Sequence, residues 1–218
     1  LEAGLGRAEA ARDAYEGALA AHRRALGEPT LEAEMYEGST ALSLDVRAAL
    51  ALAGLGDVEL ALGADPGPRL AAARALAPEG QSAEVDAAVL LVRGHLEAQA
   101  GRADEAVATF TAAERLYAGE NLHAGAGRAQ LARAGAELAR DDPDRARAGY
   151  ERALESFLLA YDRVGQAAAR LGLAETLAAL GDAGIEAAIQ YRMAARMLAD
   201  TERPNLAAEA LAVAESMR

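Results

Sequence analysis

Cysteine and tryptophan are absent from this chain, and so is lysine. Without cysteine there is no disulfide framework, no thiolate metal site and no cysteine nucleophile. All 22 basic residues are arginine, a bias that fits GC-rich coding and supplies guanidinium groups suited to bidentate contacts with carboxylates. Against them stand 34 acidic residues, and the net charge of -12 disfavours broad attraction to DNA, RNA or an anionic membrane. Aromatics make up only 4% while hydrophobic residues reach 52%, so alanine and leucine must supply most of the buried surface, a helix-forming composition. No uncharged run is long enough to span a bilayer, and Leu1 to Gly27 is charged and amphipathic, unlike a signal peptide. The chain is expected to be soluble, with the cytoplasm as its default setting.

What is present is a recurring spacing. Four times an alanine is followed after four residues by an aromatic and after three more by another alanine: Ala11/Tyr15/Ala18, Ala106/Phe110/Ala113, Ala146/Tyr150/Ala153 and Ala187/Tyr191/Ala194. That spacing puts each set on one helical face, a ring flanked by small residues that let a neighbouring helix come close. Segments of helical periodicity alternate with punctuators at Gly27-Glu28-Pro29, Gly54 to Asp57, Asp65 to Pro68, Pro78 to Gly80, Ala100-Gly101, Asp141 to Pro143, Leu180 to Gly184 and Thr201 to Pro204. Helix starts carry suitable chemistry: Asp142 before Pro143, Gly67 before Pro68, Ser82 before Ala83 and Glu84. No segment reads as a strand. The expectation is an all-α protein.

Registering on the first alanine of each set, with Ala61 filling the gap, gives successive spacings of 50, 45, 40 and 41 residues. A period in that range indicates paired helices stacked in one dimension. The expected architecture is a right-handed α-solenoid of antiparallel helix pairs, running as one repeat domain over residues 1–218.

The segment from Leu90 to Leu116, with Gly94 in a first helix, a turn at Gly101 and Ala106, Phe110 and Ala113 in a second, resembles a tetratricopeptide (TPR) repeat. Similar signatures stand at Ala134/Asp141/Ala146/Tyr150/Ala153 and at Ala174/Gly181/Ala187/Tyr191/Ala194, with a half signature at Gly6/Ala11/Tyr15/Ala18. The stretch from Tyr161 to Asp182 is similar in style to the TPR variants found beside winged-helix or LuxR-type DNA-binding domains and NTPase modules in large bacterial regulators. The Ala61 repeat departs from the pattern, because its aromatic and second alanine would fall on Asp65 and Pro68. A helix cannot run through Asp65-Pro66-Gly67-Pro68. An irregular repeat is therefore expected at 57–80, with a new helix near Arg69 to Ala77.

In the TPR register the chain begins and ends inside a repeat. The stripe Ala11, Tyr15 and Ala18 on helix Gly6 to Ala25 should pack on a preceding helix, and leaving it in water would forfeit about 25 cal/mol per Å² of apolar surface. The expectation is a fragment of a larger protein whose first helix contacts a missing N-terminal domain, or a homodimer formed through that helix.

The TPR resemblance implies binding along the concave groove lined by first helices. Its groove-facing positions fall on Ser43, Val46 and Leu50, on Ala88, Leu91, His95 and Gln99, on Arg128, Leu131 and Gly135, and on Ala168, Leu171 and Glu175. The lysines and asparagines with which chaperone-binding TPR domains hold a C-terminal carboxylate are missing from these positions. A helix or mixed peptide suits the surface better.

Each polar candidate also has a structural explanation. His95 is one of three histidines far apart in sequence, which favours a packing or surface role. Arg128, Arg133 and Arg140 interleave with Glu137, Asp141, Asp142 and Asp144, which favours local ion pairs. The cluster Glu28, Glu32, Glu34 and Glu37 reads as charge at a helix N-terminus. Asp141, Asp142 and Asp144 lack the spacing of a calcium loop, and Gly125-Ala126-Gly127 lacks the GK[ST] of a phosphate loop.

No carboxylate pair, His/Ser/Asp set or metal spacing supports a catalytic assignment, and neither cofactor nor metal is expected. The functional expectation is a non-catalytic interaction or scaffolding domain that binds a protein or peptide, without direct nucleic-acid or membrane contact. The alternative is a ligand- or peptide-sensing domain of a bacterial transcriptional or signalling regulator, with the break at Asp65 to Pro68 as its hinge.

Overall fold

The computed structural model describes residues 2–27, 40–180, 184–199, 201 and 204–217. The acidic cluster at Glu28, Glu32, Glu34 and Glu37 lies outside these residues. The described chain forms ten α-helices: α1 Glu2–Gly27, α2 Thr40–Ala61, α3 Gly67–Leu76, α4 Ala83–Gln99, α5 Ala103–Gly119, α6 His123–Ala139, α7 Pro143–Leu159, α8 Arg163–Ala179, α9 Ile185–Ala199 and α10 Pro204–Ser216. No strand occurs among the described residues. Consecutive helices pack as adjacent pairs, the construction of an α-solenoid.

From α4 to α8 the cadence is regular, with five helices of 17 residues each. Three-residue connectors separate them, short enough to force antiparallel neighbours. The middle residue of each connector takes the left-handed conformation: Gly101 at φ 74°, Asn121 at 57°, Asp141 at 60° and Tyr161 at 55°. The next backbone N–H then donates back to the carbonyl five residues earlier. These bonds run from Arg102 to Glu97 and from Leu122 to Tyr117 at 2.9 Å, and from Asp142 to Glu137 and Asp162 to Phe157 at 3.0 Å. The Schellman closure ends one helix and turns the chain at the same place. Asp142 and Asp162 then cap the following helices, accepting from Arg145 N–H at 3.1 Å and Gly165 N–H at 2.8 Å.

Two connectors carry no turn signal that the sequence reading used, those at 120–122 and 160–162. The opposite error occurs at Gly54 to Asp57, where a turn was expected and α2 instead runs unbroken to Ala61. The physical reason is contact. A Cβ on Gly54 would collide with the Tyr15 ring, and one on Gly56 would lie 3.4 Å from Pro66 Cβ. Gly54 serves close approach while Gly56 has room for a side chain in ordinary contact, and Ala61 ends a first-type helix rather than sitting within a second. The break at Asp65 to Pro68 is present: Gly63 turns at φ 77°, and Asp65 Oδ1 accepts from Gly67 N–H at 2.9 Å as α3 begins.

The chain divides into two compact units, Leu1–Leu96 and Glu97–Arg218, with the boundary inside α4. In the first, α2 packs against α1 and α3, and Leu52, Leu55, Ala73, Ala77 and Val85 form its core with Leu19. In the second, each helix from α5 to α10 packs on the next, and α6 also meets α8. The alanines of the last three motif sets, Ala106 to Ala194, are 0% exposed. One motif ring, Tyr150, and two rings that follow a motif set by one turn, Tyr117 and Phe157, fit between neighbouring helices because glycines stand opposite: Tyr117 over Gly125, Phe157 over Gly165, Tyr150 over Gly172. Each such contact replaces a Cβ with part of an aromatic ring, which shortens the distance between helices and buries the ring.

Candidate partner-binding surface

The residues expected to line a groove separate into packed and open positions. In the first unit, Val46 and Leu50 are half-buried against the α2 core. Leu91 is buried and Ala88 half-buried. Ser43 lies on α2, and its side chain is outside the described residues. His95 Nδ1 is 2.7 Å from Asp57 Oδ1, so this histidine ties α4 to α2. Its placement is that of a packing residue with a polar partner.

In the second unit, Leu131 and Leu171 are half-buried. Leu131 contacts the clusters built on Tyr150 and Phe157, and Leu171 those built on Tyr191 and Leu198. They project into neighbouring helices instead of outward. The reason is spacing: a leucine every 40 residues occupies the same stacking position, and Leu91 at the preceding step is buried too. Arg128, Gln99 and Glu175 are exposed, Ala168 and Gly135 half-buried. The open face of α6 and α8 is thus Arg128, Gly135, Ala168 and Glu175, a shallow surface of small residues with opposite charges.

Tyr150 reaches this face from beneath. Its hydroxyl would stand 3.6 Å from a Cβ placed on Gly135. Burial raises the pKa of Tyr150 and of Tyr191 above the ordinary 10.0, and the nearby Glu175 carboxylate raises both further. Both phenols are buried, which is the larger cause of the shift. These rings are core residues, as expected from their repeat position.

Arg133 and Arg140, considered with Arg128 for an acidic partner, are spent within the fold. Arg133 Nη1 lies 2.6 Å from Glu114 Oε2, and Gln130 links the other Glu114 oxygen to Ser156 through bonds of 3.0 and 2.8 Å. Arg140 reaches Asp104 and Glu137, each at 2.8 Å. Arg170 on α8 donates to Gln190 Oε1 at 2.8 Å and to Met193 Sδ at 3.4 Å, and burial lowers its pKa. Among the described residues no group of three or more His, Asp or Glu side chains is placed to hold a metal ion.

At the N-terminus, the stripe Ala11, Tyr15 and Ala18 does not act as one uncovered face. Ala11 and Tyr15 are half-buried and Ala18 is exposed. The Tyr15 ring is seated on Gly54 of α2. The following helix supplies the cover that was expected from a preceding one. No helix among the described residues is long and apolar enough to cross a membrane.

No family model matches the chain, and no curated protein matches it. Among solved structures, the crystal structure of BtubC (BKLC) from P. vanneervenii is similar, with a TM-score of 0.62 at 15% sequence identity, over 96% of this chain and 84% of that one. At that identity the likeness is one of fold.

Proposed function

We propose that the chain is a TPR-type, non-catalytic interaction domain working in the cytoplasm, whose α6 and α8 face holds a peptide or helix of a partner protein. The observation that supports it most is the open row Arg128, Gly135, Ala168 and Glu175 on helices fixed by buried alanine and aromatic contacts. Rigid helices preorganise such a face at little entropic cost. Small residues admit a partner backbone, while Arg128 and Glu175 orient a segment with complementary charges.

The test is selection of displayed peptides on the intact chain, followed by binding to a variant carrying Arg128→Glu, Ala168→Glu and Glu175→Arg. Selected peptides should lose most of their affinity while the thermal melt is unchanged. Peptides that bind the variant equally well would overturn the assignment of the face. Leu131→Glu and Leu171→Glu are unsuitable here, because both would bury a charge in the packing between helices.

A further inference from the structure

The outer face of α9 departs from the repeat that built it. Ile185, Ile189 and Met193 stand one turn apart on this helix and are 82%, 44% and 39% exposed. The register carries each position back by 41 residues to α7, as Tyr191 to Tyr150, and by a further 40 to α5, as Tyr150 to Phe110. There α7 has Asp144, Ala148 and Arg152, all exposed, and α5 has Asp104 and Ala108, exposed, with Ala112 half-buried. Both of those helices are followed by further helices of the array, and the face stays open to solvent all the same. Continuation of the array past α10 would therefore leave the α9 ridge open as well. Earlier repeats fill these positions with small or charged residues, whereas α9 fills them with two isoleucines and a methionine.

A second departure lies beside the first. Arg170 of α8 reaches the edge of the ridge, where its Nη1 donates to Gln190 at 2.8 Å and contacts Met193 Sδ at 3.4 Å. The matching residue of α6 is the neutral Gln130, which bonds to Glu114 of α5, and the match of Glu114 on α7 is Leu154. This step of the repeat has gained a cation and lost the carboxylate. Arg170 Nε is buried without a hydrogen-bond acceptor, and among the described residues no carboxylate pairs with the guanidinium. Arg196, three residues beyond Met193 and exposed, adds a second cation to the same face. Glu186, at the start of the ridge, is held by Arg147 of α7 at 3.6 Å.

We propose that this ridge is a second docking surface, separate from the α6 and α8 face, and that it takes an acidic amphipathic α-helix of a partner protein. Residues four apart form a ridge that seats in a groove of another helix, so Ile185, Ile189 and Met193 bury against the partner's apolar stripe. Carboxylates flanking that stripe meet Arg170 and Arg196. A guanidinium without a carboxylate at the rim of an apolar patch favours an acidic partner and penalises a basic one. An isologous contact between two copies would bring the same arginines together, which favours a partner over a second copy.

The probes are two fluorescein-labelled 18-residue peptides sharing a leucine stripe at helical spacing, one flanked by glutamates and the other by lysines. Titrated against the full chain and read by anisotropy, the glutamate peptide should bind at least about tenfold tighter than the lysine peptide, and added salt should weaken it. R170Q/R196Q should bring the two peptides to within about twofold of each other, and I189S/M193S should remove binding of both, each with an unchanged thermal melt. Arg128→Glu, on the other face, should leave binding as it was. Equal affinity of the intact chain for the two peptides, or unchanged binding of the glutamate peptide to I189S/M193S, would overturn the proposal. Loss of binding in Arg128→Glu would move the site to the α6 and α8 face and overturn it too. Self-association of the chain that I189S/M193S abolishes would give the ridge to a second copy and overturn the choice of partner.

Discussion

The ring of Tyr150 on α7 occupies the space where any other residue at Gly172 of α8 would place its Cβ. This pair sets how closely the two helices approach. Gly172→Ala forces the ring or the helix to shift and should cost about 1–3 kcal/mol, the usual range for overpacking. Gly17 on α1 has nothing within 4 Å of an added Cβ, so Gly17→Ala should instead gain about 0.5–1 kcal/mol from helix propensity. Urea denaturation of both variants checks the contrast; a neutral Gly172→Ala would mean the contact is slack.

Tyr161 holds a left-handed backbone at φ 55° with its side chain 91% exposed. The ring contributes almost no burial to offset the strain. Tyr161→Gly should therefore stabilise by about 0.5–1 kcal/mol, the left-handed penalty less the entropy that glycine gains when unfolded. Gly101→Ala, at the matching place in an earlier connector, should destabilise by about 1 kcal/mol. Thermal melts that move in the same direction for both would contradict the shared turn geometry.

The raised pKa values of Tyr150 and Tyr191 fix a direction for stability at alkaline pH. Above the unfolded value of 10.0, the unfolded chain has lost these protons and the folded chain retains them. The contribution is thus complete below pH 10 and is lost as pH rises through the folded values. Spectrophotometric titration at alkaline pH should show late steps that disappear in Tyr150→Phe and Tyr191→Phe. Glu175→Gln should bring both steps down only in part, since burial is the larger cause. A full return to the ordinary value would reverse that ranking.

Arg133 and Glu114 form an ion pair whose side chains are only 14% and 18% exposed. Glu114→Ala leaves a cation without its partner among α5, α6 and α7 and should cost about 2–3 kcal/mol, below a fully buried pair because some solvent reaches it. The double change Glu114→Leu with Arg133→Met should recover most of that loss. A double variant as unstable as the single would show that Gln130 and Ser156 depend on the carboxylate more than on its charge.

Much of the architecture was legible in the sequence. The alanine and aromatic spacing identified residues that are buried in three sets out of four, because a face repeated at 3.6-residue periodicity has to be covered by something. Proline and aspartate marked the start of α7, and the Asp65 to Pro68 break was readable from the missing N–H of proline. The connector at 160–162 was not, since tyrosine is no turn former and the closure there comes from the backbone bond between Asp162 and Phe157; at 120–122 the signal was a single Asn121, which takes the left-handed conformation without glycine or proline beside the turn. Gly54 misled for the complementary reason: a glycine in sequence does not say whether it frees a dihedral or makes room for a ring, here that of Tyr15.

The surface was less legible than the core. The resemblance to TPR repeats grouped Leu131 and Leu171 with Arg128 and Glu175, and packing divided them, leucines inward and charges outward. Local spacing, which depends on bonds within a helix, determined that this protein is helical and which stripe of each helix is buried. Tertiary structure alone decided which glycine lies under which ring and which arginines are consumed by internal carboxylates, because each depends on atoms that are neighbours in space and distant along the chain.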